Sequence, residues 1–193
     1  MLLSFDKIMS SQVIFYDYSF EAECVTYCKE RNITYLPSLE NFEVCYRFDA
    51  DKFEDERITD DQKVNVNEYI FDKSVLEKFK VHHVLFVFDR NELVGVVHFS
   101  DYNRNPVFIY IYSLLLAFEK GLRELLTYSG LSNKDMIDFF EGHSEYNEYY
   151  MKQFKFYANP AIEKEIKELE PFQMFFLKEL IGLTNSKKIL KLS

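Results

Sequence analysis

Apolar and polar positions come in short blocks along this chain, and the clearest pair lies near its middle. The runs Val84–Phe88 and Leu93–Phe99 are joined by Asp89-Arg-Asn-Glu92. This pattern predicts a β-hairpin, because Val, Leu and Phe favour buried strands while the polar joint tolerates reversal. Gly95 sits inside the second run where a side chain is absent, and His98 to Asp101 forms a polar exit from a buried strand. Such exits are places where ligand pockets are built, although a hairpin with a solvated end reads the same way.

Upstream, Met1 to Ser11 reads as a short helix or a loose arm around Phe5 and Ile8, and Gln12–Tyr16 as a strand. Phe20–Asn32 is a predicted helix with Ser19 as its cap, Glu21 and Glu23 in its first turn, and Phe20, Cys24, Tyr27 and Cys28 at helical spacing. Ile33–Pro37 and Phe42–Phe48 are predicted strands. Ala50 to Gln62 is dense in Asp and Glu without periodicity and reads as a linker or elaborated loop. Lys63–Phe71 then reads as a strand and Lys73–Lys80 as a helix around Val75, Leu76 and Phe79, leading into the hairpin. The order strand, helix, strand, strand therefore occurs twice, in 12–48 and 63–99, and implies two similar α/β units around a shared core.

Downstream the pattern turns helical. Pro106 fits the first turn of a long helix ending at Tyr128, with Glu119 and Arg123 four apart and placed to pair. Ser132 caps Asn133–Phe140 with Asp135 completing a capping box, and Glu141–Ser144 reads as a loop carrying His143. Glu145–Tyr157, Ala161–Leu169 and Pro171–Leu180 are predicted helices, the last with Phe172, Phe175, Phe176 and Leu180 along one side. The basic end Lys187–Lys191 is too short to establish a nucleic-acid or membrane role. Val107–Phe118 is apolar around most of its helix, so either the following helices or another subunit must cover it, and a homodimer is expected.

Composition changes this picture little. Of 193 residues 48% are hydrophobic, enough for a packed core, and 20 Phe and 14 Tyr with no Trp mean that aromatic rings fill much of it. A formal net charge of −9 argues against a broad phosphate-backbone contact, so nucleic acid is not an expected partner. Three cysteines, Cys24, Cys28 and Cys45, with no secretory leader suggest reduced thiols and a cytoplasmic protein. Cys24 and Cys28 could share a metal by spacing, but no ligand set accompanies them and burial is the expected role. The apolar run Val107–Phe118 is 12 residues long, too short to cross a membrane. No zinc-type spacing, Gly-rich phosphate loop or nucleophile elbow is present, so an enzyme is not expected, and His82 and His83 read as structural or surface residues.

The run Asp89-Arg-Asn-Glu-Leu-Val-Gly-Val-Val-His-Phe-Ser-Asp101 resembles the second and third strands of a CBS domain, the family named after cystathionine β-synthase, and Asn32-Ile-Thr-Tyr-Leu-Pro-Ser38 resembles the matching part of the other member of the pair. The resemblance implies an α/β (α+β) CBS-domain pair, with units 10–58 and 59–110, followed by an all-helical extension, 107–193. It further implies an adenosine-type ligand, AMP, ADP, ATP or an S-adenosyl compound, as a regulatory ligand with no required cofactor, and signalling to a protein effector. On the family's Gly-x-x-Thr/Ser-x-x-Asp motif fall Gly95, His98 and Asp101, with Ser100 beside them. His98 replaces the hydroxyl residue, and either contacts phosphate when protonated or fills the space. Asp101 is either the ribose ligand or a helix cap, and the two roles can coexist. The resemblance places Val13, Ile14, Tyr35 and Leu36 near the base at one site, and Val66, Leu85 and Phe86 near another; Glu43–Asp49 lacks the motif, so one site at most is expected. A ligand-free interaction module is the alternative. The helical half also faintly resembles HEPN-like RNase and abortive-infection domains, but the arginine-to-histidine spacing of their nuclease signature is missing after Arg123.

Overall fold

A computed structural model describes residues 2–189, and the chain divides into two compact units, one up to Tyr110 and one from Ile111 onward. The protein is mixed α/β, with two three-stranded sheets among the described residues.

In the first unit a 3-10 turn (Tyr18–Phe20) leads into α1 (Glu21–Arg31), followed by β1 (Tyr35–Pro37), β2 (Val44–Asp49) and β3 (Lys52–Arg57), which form one antiparallel sheet in the order β1-β2-β3. β4 (Lys63–Asn65), α2 (Lys73–Val81), β5 (Val84–Asp89) and β6 (Glu92–His98) follow. β4 runs parallel to β5 and β5 antiparallel to β6. Before α1, Tyr16 makes a parallel bridge to Ser38, so a parallel crossover over a helix and then an antiparallel partner occur in both halves.

Strand periodicity explains the layers. Along β5, Leu85 and Val87 face a core with Val75 and Phe79 of α2, while Phe86 and Phe88 face the opposite way into a cluster with Cys45 and Ile58. All four are buried, so this sheet is covered on both faces, which explains the uninterrupted apolar run. The first sheet packs Leu36 against Cys24 and Cys28 of α1. The layer order in this unit is therefore helix, sheet, sheet, helix.

Several expectations are corrected here. Of the two alternatives for the amino-terminal arm the structure takes the short helix, a 3-10 turn over Phe5–Lys7, with Phe5 and Ile8 fully buried in the α2 core. Gln12–Tyr16 is not a strand but a crossing segment with a single bridge at Tyr16. Ser19 does not cap α1; the Asp17 carboxylate accepts from the Ser19 N–H at 2.8 Å and caps the preceding 3-10 turn instead. The acidic stretch expected to be a loop contains β3. Ala50 and Asp51, both with positive φ, make a two-residue turn, and Arg47 pairs with Glu54 directly opposite at 2.8 Å. Only Phe53 in β3 packs inward, against Phe48 and Tyr16, so main-chain pairing rather than apolar alternation defines this strand. The predicted strand Lys63–Phe71 ends at Asn65, because Asn65–Glu68 closes a turn.

The helix α3 (Asn105–Tyr128) starts in the first unit, where Val107 joins the α2 core, and ends in the second. The second unit is helical: α4 (Asn133–His143), α5 (Glu148–Tyr157), α6 (Pro160–Glu168) and α7 (Leu177–Ser186). Ser132 and Asp135 form the expected capping box. α4 runs on through His143, whose Nδ1 contacts the Phe139 carbonyl at 2.8 Å, so this histidine is helical and not in a loop. Phe140 is fully buried and stacks on Tyr150 and Tyr157.

The predicted helix Pro171–Leu180 is helical only from Leu177, where α7 begins. Phe172 adopts φ 65°, and residues 171–176 form a turn whose buried rings, Phe172 and Phe175, plug the bundle while Phe176 points outward. Arg123 Nε and Nη2 donate to the carbonyls of Phe172 and Phe175, both at 3.1 Å, and Asn133 Oδ1 accepts the Phe172 N–H at 2.6 Å. The expected Glu119–Arg123 pair is present at 2.5 Å. The basic run Lys187–Lys191 lies outside the described residues from Leu190 onward. Among the described residues no helix is long and apolar enough to cross a membrane.

Candidate functional site

The first unit carries a cleft of about 870 Å³. It arises where the chain passes from one sheet to the other. Ser10 pairs with Val96 of β6 through hydrogen bonds of 2.9 and 3.2 Å, and six residues later the Tyr16 N–H reaches the Pro37 carbonyl at 2.9 Å. The backbone between them spans the two sheets as one wall, carrying Val13 and Ile14. β1 with its entry loop, including Tyr35 and Leu36, forms a second wall, and the end of β6 with the following turn supplies His98, Ser100 and Asp101.

Seven of the eight residues assigned from the sequence to the motif and the first base site therefore line one cleft. Gly95 does not. It is buried with the arm pressed against it: a Cβ there would lie 2.5 Å from Met9 Sδ and 3.1 Å from the Ser10 carbonyl oxygen. Its missing side chain admits the chain's own Met9 side chain and Ser10 backbone and not a ligand. Of the residues expected near a second site, Leu85 and Phe86 are fully buried in the two cores and Val66 packs against the core that holds Leu85.

The polar end of the cleft is a self-capped turn. The 3-10 segment Phe99–Asn103 begins with His98 Nδ1 accepting from the Ser100 N–H at 3.1 Å, while the Asp101 carboxylate accepts from the His98 N–H at 2.8 Å. Because Nδ1 accepts, the proton of the neutral His98 ring belongs on Nε2. The second Asp101 oxygen lies 2.9 Å from Arg104 Nη2. Asp101 is thus a cap, one of the two roles expected for it. Each of its oxygens keeps a further lone pair, so capping leaves acceptor capacity.

Sequence reasoning missed Arg104. Its guanidinium donates to the carbonyls of Ile8 and Met9 at 2.5 and 3.1 Å and to Ser10 Oγ at 3.0 Å, tying the arm to the turn after β6. The available signal was the three-residue spacing from Asp101. Sequence reasoning also missed Tyr27 and Arg31, both on α1 and both on the cleft, with the Arg31 guanidinium 5.9 Å from the Tyr27 ring centroid. These two are four apart on one helix face. His83 lines the cleft as well.

Burial, with Glu56 adding to it, pushes the Tyr35 phenol above its ordinary range, so the hydroxyl stays protonated at neutral pH. Burial likewise pushes the Cys28 thiol up to about 11 and the Cys45 thiol up to about 12, keeping both as unreactive thiols. Among the described residues no group of three or more His, Cys, Asp or Glu is placed to hold a metal ion.

The cleft thus combines apolar walls and two tyrosines with a mixed cationic and anionic rim. Comparison with known proteins adds no assignment: no family model matches the chain, and no curated protein or solved structure matches it.

Proposed function

We propose that the first unit is a CBS-pair-type regulatory module that binds an adenosine-containing nucleotide in this cleft and passes the bound state to a protein partner. The observation that supports the reading is that Val13, Ile14, Tyr35, Leu36, His98, Ser100 and Asp101, chosen on a resemblance, surround one cavity. Its volume, about 870 Å³, falls in the range of ligand pockets. Val13, Ile14 and the Tyr35 ring offer an apolar slot for a base. Asp101 offers acceptors to ribose hydroxyls, and Arg31, His83 and His98 offer positive or donor groups to phosphate.

Titration calorimetry of the full chain with AMP, ADP, ATP and S-adenosylmethionine tests the proposal. At least one should bind with 1:1 stoichiometry, and Ile14→Glu, a change at a wall position 42% exposed, should abolish that binding while leaving the melting temperature unchanged. No heat with any of the four up to about 1 mM, equivalent to about 4 kcal/mol, defeats it.

A second reading, a ligand-free interaction module, is favoured by one observation: Asp101 already has a backbone N–H and Arg104 as partners. The same titration separates the two.

A further inference from the structure

The long helix α3 carries an apolar surface that the described residues leave open. Every residue from Ile111 to Phe118 is exposed. Ile111, Tyr112, Leu114, Leu115, Leu116 and Phe118 keep 39 to 66% of their surface open. Phe108 and Ile109, earlier on the same helix, are exposed as well. Single exposed apolar residues are ordinary, but a contiguous patch of this kind marks an interaction surface.

The spacing of these residues says what kind of surface it is. Phe108, Ile111, Leu115, Phe118, Leu122 and Leu125 follow one another at intervals of three, four, three, four and three, the seam of a heptad repeat. Leu122 is buried within the helical unit. The seam therefore continues outward from a packed core onto a stretch with no cover. Tyr112 and Leu114 flank it where a narrow two-helix seam would carry charges, while Ser113 and Lys120 fall on the far side of the helix. The apolar arc is accordingly wide enough to meet more than a single neighbouring helix.

We propose that this surface is the interface with a second copy of the chain, with α3 packing on α3 about a twofold axis. A heptad seam supplies both the knobs and the holes, so one seam is complementary to itself, as an isologous contact requires. Charge supports the same occupant. Two chains of net charge −9 repel, yet Asn105–Phe118 contains no charged residue, so pairing through it sets no like charges against each other. The area also suits. At roughly 200 Å² for a fully open large side chain, the five residues on or beside the seam, Ile111, Tyr112, Leu114, Leu115 and Phe118, offer about 500 Å² per copy. With Phe108, on the same seam, a pair then buries about 1,200 Å², the lower end of stable interfaces. This inference is independent of whether a nucleotide binds in the first unit.

Light scattering of the full chain over a dilution series from about 100 to about 1 µM tests it. The expected mass is twice 23.2 kDa, and the melting temperature should rise with concentration. Leu115→Glu, on the seam and 45% exposed within one chain, should halve the mass while retaining the wild-type helical circular dichroism. Lys120→Gln, on the far side, should leave the dimer intact. A constant mass near 23 kDa for the wild type overturns the proposal. So does a Leu115→Glu protein that stays dimeric, or a monomer that co-sediments with phosphatidylcholine vesicles and thereby assigns the patch to a lipid surface. Should Leu115→Glu fail to fold, Phe118→Glu, on the same seam and 49% open, is judged by the same two readouts.

Discussion

Two residues in this protein carry constraints that their types alone do not reveal. Gly95 is held by the close approach of Met9 and Ser10, so Gly95→Ala should cost about 1 to 3 kcal/mol in urea unfolding, as overpacking does. Combining it with Met9→Ala should recover part of the loss, because the nearest atom belongs to that flexible side chain. Glu179 is the other. It is fully buried, accepts from the Tyr149 hydroxyl and the Phe176 N–H, both at 2.8 Å, and caps α7. Burial raises its carboxyl above the ordinary range, against the lowering effect of those two hydrogen bonds. A raised value in the folded state means stability that is fully present below the unfolded value, near 4.3, and lost as pH rises through the folded one. Asp6, Asp72 and Asp135 are shifted down, so their contributions are lost only as pH falls below the carboxylate range. The difference in melting temperature between wild type and Glu179→Gln should therefore grow in favour of the glutamine protein as pH rises from about 4 to about 7. A difference that does not vary with pH would remove Glu179 from this role.

At the scale of elements, the protein uses long side chains to fix irregular backbone that has no ladder of its own. The turn 171–176, with Phe172 at positive φ, stands where apolar periodicity suggests a helix, and Arg123 and Asn133 satisfy its backbone groups. Lysine carries one compact charge and cannot reach two carbonyls and Glu119 as a planar fork does. Arg123→Lys should thus cost about 1 to 2 kcal/mol by denaturant unfolding and raise hydrogen exchange at the Phe172 and Phe175 amides. Arg104 plays the corresponding part for the arm, holding Ile8 to Ser10 beside the turn after β6. Regular elements were more legible: the hairpin β5–β6 and the capping box of α4 follow from periodicity and cap chemistry. β3 was not, because an edge strand pairing its charges across the sheet shows no apolar alternation.

At the scale of the molecule, each unit has its own core, and this sets how damage should spread. The second unit is filled by aromatic rings around Phe140. Phe140→Ala should cost about 3 to 5 kcal/mol locally. Hydrogen exchange should then rise across Leu122–Leu183 while the amides of β5 and β6 keep their protection. Equal loss of protection in both units would mean that the chain unfolds as one cooperative block.

What the sequence determined by itself is local. Apolar runs, helical spacing, turn residues and caps each act within a few neighbours along the chain, so they fixed most elements and the apolar run of α3, whereas the exposure of that run and the loss of the first predicted strand, Gln12–Tyr16, were decided by packing. The burial of Cys24 and Cys28 was also legible, since both fall on the apolar face of α1. The tertiary structure decided what depends on residues far apart in sequence: that a crossing segment and two sheets enclose a cleft, that Tyr27, Arg31 and His83 join it, and that Gly95 faces Met9 instead of a ligand. It also decided that Leu85 and Phe86 are core and that Arg104 reaches back 96 residues to Ile8. Such contacts are made by whichever side chains the packed layers bring together, and no interval along the chain encodes them.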